Sequence, residues 1–92
     1  MKLMPKRHGA DLFDLTPAEE LDFWELLRRA KAYLDVSMGK HKPEGYNLGI
    51  NYGEAAGQTI RHLHIHLIPR YKGDIENPRG GIRNFMPNLV NW

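Results

Sequence analysis

Apolar residues recur along the chain in three regular patterns, and each pattern predicts an element. The first runs from Thr16 to Gly39. Phe23, Leu26/Leu27, Ala30, Leu34 and Met38 return at spacings of three and four, which places them on one stripe of a helix. Arg28, Arg29 and Lys31 fall mostly away from that stripe. The word Thr16-Pro17-Ala18-Glu19 predicts the helix start. The threonine hydroxyl can take up a free amide, Pro17 suits the first helical position, and Glu19 can reach back to complete a capping box. Glu19, Glu20 and Asp22 complement the positive end of the helix dipole, and Gly39 is a natural stop. Trp24 and Tyr33 flank the stripe, where core or interface packing is expected.

The other two patterns have period two, the mark of a strand whose successive side chains point to opposite faces. In Tyr46–Tyr52, Tyr46, Leu48, Ile50 and Tyr52 share one face; Asn47, Gly49 and Asn51 share the other. In Gln58–Arg70, Ile60, His62, His64, His66 and Ile68 share one face, with Arg61, Leu63, Ile65 and Leu67 opposite. The loop Gly53–Gly57 between these stretches predicts a β-hairpin. Pairing then sets the polar Asn face beside the histidine face, with Gly49 leaving room for a ligand. Met1–Pro5 reads as a short extended piece ended by proline. Together these elements predict an α+β fold: a small, mainly antiparallel sheet with one long helix packed on one face and the histidines on the other.

Loops fill the remainder. Asp11–Leu15 is a connector, and His41 belongs to a surface loop. After Arg70 the chain is polar and rich in Gly and Pro. Gly80-Gly81, set between Arg79 and Arg83, suits either a surface loop or a close approach to phosphate. Phe85–Trp92 carries large apolar side chains and is expected to dock.

Composition narrows the class. Ninety-two residues with 41% hydrophobic and 26% charged positions suit one folded domain and argue against disorder. The absence of cysteine excludes a disulfide framework and a thiolate metal site. It fits a cytoplasmic location. No apolar run approaches the roughly 20 residues of a membrane span, and the start lacks the apolar core of a signal peptide. A net charge of +2 suits a small anionic ligand, and no extended basic stripe for nucleic acid is visible.

The histidine face carries the candidate chemistry. Like-facing residues on a strand stand about 6–7 Å apart, so His62, His64 and His66 form a ladder on one surface. Chance is one account of it. A second is a metal site, because two neutral imidazoles on one strand face can chelate; a straight ladder, however, closes a tetrahedron poorly. A third is nucleophilic catalysis, in which one imidazole attacks while its neighbours orient it and move protons.

His-φ-His-φ-His-φ-φ, with Leu63, Ile65, Leu67 and Ile68 as the apolar positions, resembles the signature of the histidine triad (HIT) family of nucleotide hydrolases and transferases. The neighbouring words agree: Asn51 through Thr59 before it, Pro69-Arg70 after it, and Pro5-Lys6-Arg7-His8 near the start. The resemblance runs in register from about Met1 to Arg83. It makes residues 1–92 a single HIT-like domain equivalent to the C-terminal part of the usual family domain. The family's further N-terminal strands, with much of its base and ribose pocket, would be lacking.

The resemblance implies hydrolysis or transfer at the α-phosphorus of a nucleotide through a covalent nucleotidyl-histidine. It makes His64 the nucleophile, has His66 assist the leaving group and gives His62 the role of ordering the site. Gln58 and Thr59 would bind phosphate oxygens, Asn51 would reach towards the substrate, and His8 would stand at the edge of the site. No metal or other cofactor is required on this reading. The Ile68-Pro69-Arg70 and Lys72-Gly73-Asp74 words point to the dinucleoside polyphosphate hydrolases within the family. A homodimer is also implied, and sheet edges left bare at the front would invite pairing with a second chain. The alternative is a nucleotide- or metal-binding module without turnover.

Overall fold

The computed structural model describes residues 1–86 and 88. It has one long helix, α1 (Pro17–Ser37), and a three-stranded antiparallel sheet of β1 (Lys2–Leu3), β2 (Gly45–Gly49) and β3 (Ile65–Arg70). Strand order is β1-β3-β2, so β3 is central. This is the α+β arrangement expected from the sequence.

Helix α1 begins as its sequence dictates. Thr16 Oγ1 accepts from the Glu19 amide at 3.2 Å, and Glu19 Oε1 accepts from the Thr16 amide at 2.9 Å. Two orphan amides of the first turn are thereby satisfied. Ala30 and Leu34 are buried, and Phe23, Leu26 and Leu27 pack around them. Met38, predicted to end the stripe, is instead the half-exposed cap residue. Trp24 and Tyr33 are exposed.

The sheet presents Leu3, Ile65, Leu67 and Tyr46 to this stripe. Cross-strand register explains the grouping. Leu3 pairs with Ile65, Leu48 with Leu67 and Tyr46 with Pro69, and directly opposed residues share a face. Tyr46 also donates its hydroxyl to Asp35 on α1, tying β2 to the helix. On the other face, Lys2 and Gly49 both oppose His66.

Two strand expectations need correction. The histidine strand is shorter than the alternation suggested: only Ile65–Arg70 is in the sheet, so His62 and His64 lie on the segment leading into β3. That segment is held from another direction, by the Leu63 amide donating to the Ala10 carbonyl at 3.0 Å. The alternation of faces nevertheless survives, because Leu63 and Leu67 are both buried. The expected hairpin forms with a longer connection than Gly53–Gly57. Strands β2 and β3 pair, but residues 50–64 join them, and Ile50 and Tyr52 lie outside β2. Gly53 and Gly57, with φ of 92° and 91°, bracket a single 3-10 turn over Glu54–Ala56 that carries the chain out of the sheet.

Proline in a central strand would normally break a ladder. Here the Leu67 amide donates to Met1, so the amide position of Pro69, two residues on, faces the same edge. The pairs made by β1 do not reach that far, and no ladder bond is lost there. The end of β3 is locked by Arg70, which ion-pairs with Asp74 at 2.7 Å and donates to Asn47. A 3-10 segment, Gly81–Phe85, lies near β2, where a side chain on Gly81 would come within 3.2 Å of Asn47 Nδ2. Phe85 is 79% exposed and does not dock. Leu89, Val90 and Trp92, the other large side chains expected to dock, lie outside the described residues.

Candidate functional site

The polar face of the sheet and the 50–64 connection enclose a small cleft of about 140 Å³. Lys2, Asn51, Gln58, Thr59, His64 and His66 line it. Each arrives by a different route. His66 comes from β3 and Lys2 from its partner position on β1. His64 stands two residues upstream. Asn51, Gln58 and Thr59 come from the connection, whose loop is closed by two bonds: the Gln58 amide donates to the Gly53 carbonyl at 3.1 Å, and the Gly53 amide donates to Gln58 Oε1 at 2.8 Å. With Oε1 committed, Gln58 has its side-chain NH2 to offer a ligand. Gly49 opposes His66, and even a Cβ there would meet no atom within 4 Å, so the floor is open.

The histidines form a connected row. The His62 and His64 rings are 6.1 Å apart and nearly perpendicular. His8 stacks on His62, with centroids 5.6 Å apart and planes 20° apart. The Gly9 amide donates to His62 Nδ1 at 2.8 Å. An accepting Nδ1 means that neutral His62 carries its proton on Nε2. The loop after β1 thus selects one tautomer at the first histidine. That loop is itself anchored to the helix, since Arg7 bonds Asp14 and Glu19, each at 2.9 Å.

Charge in the cleft is one-sided. Lys2 lines it and, among the described residues, no carboxylate does, so the electrostatics favour an anion. Among the described residues, no group of three or more His, Asp or Glu side chains is arranged to hold a metal ion.

Of the residues expected at the site, Asn51, Gln58, Thr59, His64 and His66 come together in the cleft. His62 stands one ring away as a support, and His8 lies beyond it, exposed, at the far end of the row. Lys2 was not anticipated. Its only signal is the strand register that sets it opposite His66, and a short extended N-terminal piece does not fix a register.

The model of the HIT domain matches residues 1–73. A bis(5'-adenosyl)-triphosphatase of Dictyostelium discoideum is 38% identical over 73 residues, covering 79% of this chain and 47% of that protein. An AP-4-A phosphorylase of Mycobacterium tuberculosis is 33% identical over 75 residues, covering 80% of this chain and 37% of that protein. The chain therefore spans less than half the length of these two relatives. Among solved structures, a HIT family protein from Bacillus anthracis superposes with a TM-score of 0.64 at 30% identity, over 98% of this chain and 70% of that one.

Proposed function

The chain belongs to the HIT domain family, and on that premise we propose that it is a nucleotide hydrolase or nucleotidyl transferase acting at the α-phosphorus of a dinucleoside polyphosphate or a related nucleotide. The observation that carries this reading is the cleft itself. Two imidazoles, two amide side chains, a hydroxyl and an ammonium group converge on one small volume that no carboxylate of the described residues enters. The names of the Dictyostelium and Mycobacterium relatives favour the same substrate class.

In the proposed reaction, the phosphate group to be cleaved enters the cleft against Gln58, Thr59 and Asn51, with Lys2 balancing its charge. A neutral His64 nitrogen attacks phosphorus, forming a P–N bond as the P–O bond to the leaving polyphosphate breaks. His66 supplies the proton that the leaving oxygen needs, a step of general acid catalysis. Water then attacks the nucleotidyl-histidine, giving up a proton to His66 and releasing a nucleoside monophosphate and free His64. If inorganic phosphate takes the place of water, the same site is a phosphorylase. His62, its tautomer set by Gly9, holds the ring of His64 edge-on and does not itself bond to phosphorus. Prearranged donors around the phosphoryl oxygens supply the electrostatic stabilisation, and no metal takes part.

A homodimer and a cytoplasmic location complete the proposal. Exposed Trp24 and Tyr33 on α1 favour self-association, and light scattering that finds a folded monomer at tens of micromolar, roughly the working range for such an equilibrium, would remove the dimer from it. The reaction is tested by chromatography of diadenosine triphosphate, diadenosine tetraphosphate and adenosine phosphoramidate after incubation with the protein. Release of a mononucleotide from a dinucleoside polyphosphate is expected. Binding without any turnover across the panel would make the chain a nucleotide-binding module.

A further inference from the structure

Gln58 and Thr59 form a wall with two sides. One side lines the histidine cleft, and the other lines an open groove of about 640 Å³ whose remaining walls include Asp11, Tyr52, Glu54 and Arg61. Nothing in the proposed chemistry uses this second space. It is larger than the cleft and borders it at these two residues, so a ligand long enough to pass over Gln58 and Thr59 can reach both spaces.

The groove is built around an aromatic ring held from two sides. The Tyr52 hydroxyl donates to the Asp11 carboxylate at 3.0 and 3.2 Å. Its ring meets Phe13 edge-on, with centroids 4.9 Å apart. The Asp11 carboxylate raises the pKa of the Tyr52 hydroxyl and so keeps it protonated and donating. Asp11 is in turn fixed as the cap of the 3-10 turn Leu12–Asp14 through the Phe13 amide at 2.8 Å. The ring is nonetheless about half exposed. A fixed, exposed ring is a stacking surface that loses little conformational freedom when a flat ligand settles on it.

The groove carries charges of both signs. Arg61 is exposed and lines the groove together with Gln58 and Thr59. Asp11 and Glu54 contribute two carboxylates. A polyphosphate leaving the cleft would be favoured by the arginine and opposed by the carboxylates. The surface beside Tyr52 and Asp11 therefore suits an uncharged, flat group with hydroxyls or an amine to donate.

We propose that this groove binds the second nucleoside of a dinucleoside polyphosphate, the half that departs, with its base on Tyr52 and its donors facing Glu54. The assignment rests on the hydrolase reading above and adds to it the basis for preferring a substrate with two nucleosides over one. Arg61 would guide the intervening phosphates and would serve substrates with or without the second nucleoside.

The test uses the full chain carrying His64→Ala, so that bound ligand is not consumed. Calorimetry compares diadenosine tetraphosphate with adenosine tetraphosphate, which lacks the second nucleoside. The first should bind roughly ten- to a hundredfold more tightly, the range expected for one base stacked on an aromatic side chain. Adding Tyr52→Ala should abolish that advantage and leave adenosine tetraphosphate binding unchanged, whereas Tyr52→Phe, which keeps the ring, should retain most of the advantage. Equal affinity of the two ligands in the parent protein overturns the subsite and leaves the reaction standing. So does a Tyr52→Ala variant that weakens both ligands alike, because the loop and not a stacked base would then be responsible. Failure of both ligands to bind overturns the subsite together with the nucleotide reading.

Discussion

Replacing Leu67 by alanine removes three carbons from the centre of the molecule. Leu67 is 1% exposed, lies on the central strand and packs with Leu3, Ala30 and Leu34. At about 0.8 kcal/mol per buried methylene, the lost transfer free energy is roughly 2.4 kcal/mol. The cavity left between sheet and helix brings the total to about 3–4 kcal/mol, within the span of measured leucine-to-alanine losses. A domain of this size has a total stability of roughly 5–14 kcal/mol, so the variant should fold but with a much reduced margin. At a urea m-value of about 1.5 kcal/mol/M, the midpoint should fall by about 2 M or more with little change in slope. Ile68 is the internal control: one residue on, it faces the other side of the sheet and is 47% exposed. Ile68→Ala should cost about 1 kcal/mol or less, as expected of a half-exposed position. Urea denaturation followed by far-UV circular dichroism measures both. A Leu67→Ala loss below about 1 kcal/mol, or equal losses for the two variants, would refute the packing of α1 on this face.

Three further outcomes follow. His66→Ala should reduce turnover by about 10²–10⁴-fold, the usual worth of a general acid, while still allowing the nucleotidyl adduct to form; His62→Ala should be milder and act partly through folding. Treatment with a chelator followed by desalting should leave turnover intact, whereas loss restored by zinc would favour a metal site; magnesium is uninformative, since it binds substrate phosphates. Hydrogen bonds from Arg7 lower the Glu19 pKa from 4.5 to about 2. That depression stabilises the fold above about pH 4.5 and is lost as the pH falls towards 2, so the stability difference between the native chain and Glu19→Gln should shrink over that window and with added salt.

The helix was legible because its signals are local: the capping box needs four consecutive residues, and the apolar stripe repeats at fixed spacing. The two faces of the histidine segment were legible for the same reason, and Leu63 and Leu67 are buried as their alternation requires. The strand limits were not. Period-two alternation continues through any extended chain, whereas a strand ends where its partner ends, and β1 pairs with β3 only near the start of that strand. Asn51, Gln58, Thr59, His64 and His66, which share the cleft, could be singled out through the family resemblance of the words around them. Lys2 could not, because it faces His66 only through pairing. Nor could the bond from the Gly9 amide to His62, which joins residues 53 positions apart, be found by reading spacing. The loop over Glu54–Ala56 is an intermediate case. Its glycines announced a turn, but the bond from the Gly53 amide to the Gln58 side chain that closes it is visible only in the fold.

The central claim is that the middle histidine bonds to phosphorus, and mass spectrometry of the intact protein tests it most directly. The protein is mixed rapidly with diadenosine tetraphosphate and quenched at neutral or alkaline pH, because a P–N bond to histidine hydrolyses in acid. The account predicts a species heavier by one adenylyl group, mapped by fragmentation to His64 and absent from His64→Ala. An adduct on His62 or His66, or undiminished turnover by His64→Ala, would contradict it.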